Sequence, residues 1–135
     1  MESFRFRSSE RVLSAHLIRV LRQFTLLGIS ELQARAASGQ PLLEYPIFDN
    51  DWQESKRTIM RLLARIESGE LPLQIYECDE VAGYPPEEEL LSIEGFKERL
   101  QTLREIALEQ DMAQQLELGY IESPEEYEPL DEDEA

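Results

Sequence analysis

Phe4-Arg5-Phe6-Arg7 alternates apolar and charged residues, which places Phe4 and Phe6 on one face of a short strand. The period then lengthens. Leu13, Leu17, Val20, Leu21 and Phe24 recur at helical spacing, with Arg11, Arg19 and Arg22 off that stripe. This predicts one amphipathic helix starting at a Ser8 or Ser9 cap. Gly28 fits a left-handed helix end, and Ser30 fits the cap of a second helix whose apolar side is Ile29, Leu32, Ala36 and Ala37. Gly39 and Pro41 stop it. Leu42 to Phe48 reads as a strand that Pro46 breaks or confines to a sheet edge. Asp49-Asn50-Asp51 supplies a turn and a cap. A third helix follows, with Trp52, Lys56, Ile59, Met60, Leu63 and Ile66 along one side and Arg57, Arg61 and Arg65 in a separate row. Ser68-Gly69 ends it. Pro72 to Tyr76 is a strand, with Leu73 and Ile75 opposed to Gln74 and Tyr76.

After Tyr76 the pattern weakens. Glu77 to Leu91 predicts a loop, carrying Gly83-Tyr84-Pro85-Pro86 and the run Glu87-Glu88-Glu89. Ser92 caps a further helix with Ile93, Phe96, Leu100, Leu103, Ile106 and Ala107 as its apolar positions. Met112, Leu116 and Leu118 continue it to a stop at Gly119. Ile121 to Ala135 holds eight acids, no base and two prolines, which predicts a disordered or extended tail. The order of elements predicts an α+β fold: a small three-stranded sheet with helices on one face (β-αα-β-α-β), plus an added C-terminal helix and acidic tail. The domain is expected over residues 1–119, with a core at 1–77, an acidic loop at 78–91 and the added helix at 92–119. The tail is expected at 120–135.

The first six elements, about Phe4–Glu77, resemble the C-terminal domain of the bacterial ribosomal stalk protein. The most specific part is Phe24-Thr25-Leu26-Leu27-Gly28-Ile29-Ser30-Glu31-Leu32-Gln33-Ala34. The stalk family has a similar threonine-glycine-leucine run there, followed by an acidic and a small residue. The resemblance implies three helices on one face of a three-stranded sheet. It does not imply a ribosomal role. The stalk family presents lysines around that corner to recruit translation factors, whereas here the region carries Glu31, Gln33 and Arg35.

Charge changes the picture most. The net charge is −16, with an isoelectric point near 4.3. Met1 to Ile75 holds ten Lys/Arg against nine Asp/Glu, and Tyr76 to Ala135 holds three against twenty. A near-neutral half thus precedes a strongly acidic one. That balance excludes direct binding to a nucleic-acid backbone and suits a basic protein partner. The single cysteine, Cys78, leaves no disulfide framework and no cysteine-based zinc site. There is no signal-like start and no apolar run of membrane-spanning length, so a cytoplasmic protein is expected.

Catalytic chemistry finds little support. His16 is the sole imidazole and lies at the border of an apolar face, with no positioned nucleophile or acid beside it. Cys78 has no nearby base in sequence. Asp49-Asn50-Asp51 fails as a calcium loop, because a glycine is required where Glu54 stands and a glutamate where Met60 stands. Neither a metal, a cofactor nor a catalytic residue is expected. The arginine row reads as a solvated face pairing with the chain's own acids. Tyrosines among acids are the better lead, since interfaces favour tyrosine and charge steers a basic partner. The partner-binding residues expected are Glu77, Asp79, Glu80, Tyr84, Glu87, Glu88, Glu89 and Tyr120. In size and charge the chain looks like the small acidic immunity proteins encoded beside bacterial toxins. The leading expectation is a non-enzymatic immunity or inhibitor protein that neutralises a basic toxin or effector domain. A nucleic-acid mimic and an adaptor or assembly chaperone are the alternatives.

Overall fold

The structure, a computed structural model, describes residues 1–128. Of the tail expected at 120–135, residues 129–135 lie outside the described residues. The elements are β1 (Glu2–Ser8), α1 (Ala15–Leu21), α2 (Ile29–Ser38), β2 (Leu43–Pro46), α3 (Trp52–Glu67), β3 (Leu73–Asp79), β4 (Glu87–Leu91) and α4 (Ile93–Leu118), followed by a 3₁₀ turn at Pro124–Glu126. They fall into two compact units, Met1–Ile93 and Glu94–Ala135. No helix among the described residues is long and apolar enough to cross a membrane.

The first unit holds an antiparallel sheet of four strands, not three, in the order β2-β1-β3-β4. The added strand is Glu87–Leu91, where composition predicts loop. Acidic residues have poor strand propensity, and this run shows no apolar alternation. Its ladder to β3 nevertheless pairs five residues, from Asp79↔Glu87 to Ile75↔Leu91.

β1 lies between β2 and β3, and its alternation sorts the sheet into two faces. Phe4 and Phe6 are fully buried. Their cross-strand neighbours Leu43 and Ile75 are buried on the same side, and the Phe4 ring lies 6.3 Å from that of Trp52 on α3. Arg5 and Arg7 point to the opposite side.

The helices follow the apolar stripes with three differences. α1 begins at Ala15, not at Ser9. Ser14 is its cap, accepting a hydrogen bond from the Leu17 amide, and the residues before it are irregular. Leu13 is still buried, because Gln33 of α2 holds its backbone, donating to the Leu13 carbonyl at 2.8 Å and accepting from its amide at 3.1 Å. Gly28 is not left-handed. At φ −75° and ψ 170° it is the extended N-cap of α2, so Ser30 falls inside the helix. In α3 the buried positions are Trp52, Ile59, Leu62 and Leu63, and Met60 is exposed.

The turn after β2 contains one backbone exception. Phe48 has φ 59°, a left-handed conformation rare for an aromatic residue. Its half-exposed ring packs edge-to-face on Trp52 at 5.9 Å.

In the second unit, α4 buries Phe96 and Leu103, seven residues apart, and ends at Gly119 with φ 79°. Beyond it the Tyr127 hydroxyl donates to the Asp111 carboxylate at 2.8 Å, returning the segment after the 3₁₀ turn to the helix.

Candidate functional site

Alternation along β3 and β4 decides where each acid of the expected site falls. Residues directly opposite in an antiparallel ladder share a face. Glu77 therefore stands against Glu89, and Asp79 against Glu87, on the side where Phe4 lies further along the sheet. Cys78 stands against Glu88 on the other side, with Ser3 beyond it.

On the Arg5 side, opposite charges are matched. Arg5 Nε donates to Glu44 Oε2 at 2.6 Å, Nη1 to Glu88 Oε1 at 3.0 Å, and Nη2 to Glu80 Oε1. Arg7 Nη2 also reaches Glu88 Oε1, at 2.6 Å, and its guanidinium lies 5.3 Å from the centre of the Tyr76 ring. The Arg5 side chain is 15% exposed. Burial works against its charge, but the bonds to Glu80 and Glu88 and the field of Glu44 hold its pKa above the ordinary arginine value. Cys78 is fully buried. Burial pushes its thiol pKa up, against a smaller opposite pull from Arg5, so the neutral thiol is favoured.

On the Phe4 side of β3 and β4, like charges face one another. Directly opposed carboxylates destabilise a ladder by roughly 0.2–1 kcal/mol per pair. Asp79 has a partial neutraliser in the Met1 ammonium, 3.6 Å away. Glu87 and Glu89 are exposed, and their carboxylates make no hydrogen bond or ion pair with any described residue. Repulsion of this kind is the cost of keeping negative charge concentrated at a surface.

The expected site residues therefore divide. Glu77, Asp79, Glu87, Glu88 and Glu89 belong to two paired strands rather than to one loop, which corrects the expectation for residues 78–91. Glu80 and Glu88 are bonded to arginine on the Arg5 side. Tyr84 is 74% exposed, in a turn where its amide donates to the Val81 carbonyl after Gly83. Tyr120 is also exposed, but it belongs to the second unit. Arg5 and Arg7 were not expected. The FRFR alternation does set their side of the strand, yet the acids they bind lie 39, 75, 81 and 83 residues away.

Other candidate chemistry has a structural account. His16 Nε2 lies 3.4 Å from Glu70, on an exposed side chain. The Asp49 carboxylate accepts from the Asp51 amide at 3.1 Å, closing the turn before α3. Arg65 pairs with Glu70 at 2.9 Å and lines a groove with Gln23, Phe24, Arg61, Ala64 and Ser68. No group of three or more His, Cys, Asp or Glu among the described residues could hold a metal ion. Comparison with protein-family models, curated proteins and solved structures finds no match to this chain.

Proposed function

We propose that this protein is a binding protein of the immunity or inhibitor kind, which captures a basic protein partner through the acidic ladder of β3 and β4. One observation carries the reading. Glu87 and Glu89 are exposed and unpartnered, facing Asp79 and Glu77, in a unit that binds Glu88 with two arginines one residue away. Such a surface attracts a cationic partner at long range and speeds its encounter. A toxin or effector domain with a basic active-site cleft has the required chemistry, and covering that cleft would neutralise it.

The test is co-purification from the native host with the wild-type chain and with Glu87→Lys/Glu89→Lys, followed by binding measurements on the captured protein. Wild type is expected to bind a basic protein with a dissociation constant that rises with salt. The double reversal is expected to weaken it by about tenfold or more, or about 1.4 kcal/mol. Glu89→Gln alone should stabilise the fold by a few tenths of a kcal/mol, because it removes one like-charge pair. Equal affinity of wild type and double reversal at low salt would reject the surface.

A further inference from the structure

We infer that β4 accepts an added strand from a basic protein segment bearing Lys or Arg at alternate positions. The inference rests on the acidic-ladder reading and adds how the partner is held. The sheet ends at β4. Glu87–Leu91 pair with β3 on one side, and no described residue hydrogen-bonds to their backbone on the other. In such an edge, alternate amides and carbonyls point outward and form a template for another strand. Residues 87–90 are exposed, and β4 contains no proline. The opposite edge is a poorer template. β2 has four residues and ends on Pro46, which has no amide to donate.

The charges of β4 select the occupant. Glu88 is already neutralised by Arg5 and Arg7. Glu87 and Glu89 are not, and they lie about 7 Å apart along one face. An incoming strand sets its side chains directly opposite, with Cβ atoms about 5 Å away. Cations are therefore wanted two residues apart on that face. Between them an apolar residue suits the other face, where Leu90 is 57% exposed. The pattern is Lys/Arg, apolar, Lys/Arg.

A second copy of this chain is a poor occupant. Antiparallel pairing centred on Glu89 sets that residue against itself, and parallel in-register pairing sets all three glutamates against their copies. Both add like-charge repulsion to a ladder that already carries it.

The experiment adds two capped peptides of equal composition to the full chain at low salt: (Lys-Val)4 and Lys4Val4. Amide exchange is followed by NMR for wild type and for Glu87→Lys/Glu89→Lys. The expected result is tighter binding of the alternating peptide, with exchange at alternate residues of Glu87–Leu91 slowed about tenfold or more. N-methylation of every second peptide residue should abolish that protection while leaving peptide charge intact. Equal binding of both peptides without protection of β4, still lost on charge reversal, would overturn strand addition and leave the acidic surface standing. Binding that charge reversal does not weaken would overturn both, as would no binding at all. Protection of β4 together with dimerisation in the absence of peptide would assign the edge to a second copy and overturn the basic occupant.

Discussion

Arg5 and Glu88 are hydrogen-bonded at 3.0 Å although they sit on β1 and β4, strands that do not touch, with β3 between them. The guanidinium reaches across β3 on the side where Cys78 is buried, and Glu44 and Glu80 take its other donors. One side chain thus ties together three strands and the segment after β3. Arg5→Ala should lower stability by about 1 kcal/mol, since charge-assisted hydrogen bonds are lost while the exposed carboxylates of Glu44, Glu80 and Glu88 return to water. A double-mutant cycle with Glu88→Gln should return a coupling of about 0.5 kcal/mol or more in urea denaturation. Additive single effects would show that the pair contributes shape rather than energy.

Phe48 should invert the usual order of glycine and alanine. Its φ of 59° costs an L-residue about 1 kcal/mol or more that glycine does not incur. Both substitutions lose the ring contact with Trp52, and alanine keeps the strain. Phe48→Gly is therefore expected to be more stable than Phe48→Ala by about 0.5–1 kcal/mol, despite glycine's greater chain entropy. Thermal melts of the two variants decide the order.

Tyr45 carries a buried hydroxyl with no hydrogen-bond partner among the described residues, and burial pushes its pKa up to about 12, with Arg61 pulling weakly the other way. A phenol whose folded pKa lies above its unfolded value keeps its proton longer in the native state. Stability should therefore fall as pH rises from about 10 to about 12. Tyr45→Phe should remove that slope and the late phenolate absorbance. At neutral pH it should be neutral or slightly stabilising, since an unsatisfied polar group is lost.

Local pattern carried much of this fold. FRFR fixes β1 and its two faces because its residues satisfy the period of a strand within four positions. α3 is legible because Trp52, Ile59 and Leu63 share a helical stripe. β4 was not legible. Glu87-Glu88-Glu89 has the composition of a loop, and what makes it a strand is pairing with β3 and the arginines on β1. The stripe from Leu13 also overstated α1, since a residue can be buried from irregular chain when another helix binds its backbone, as Gln33 binds Leu13. For the candidate site, the acids could be named from charge. Their division into members paired with arginine and members left unpaired could not, because it depends on which acids the fold brings beside Arg5 and Arg7.

The central position of β1 governs when the sheet can form. Glu2 pairs with Asp79, and Phe6 pairs with both Leu43 and Ile75. A nascent chain holds its first strand without either neighbour until β2 and then β3 have been synthesised. Until then Phe4 and Phe6 lack their strand partners. Long-range closure of this kind slows folding relative to a helical protein of the same length. β3 and β4 are the last two strands of the sheet in chain order, so the surface that would meet a partner is completed only when the sheet itself closes.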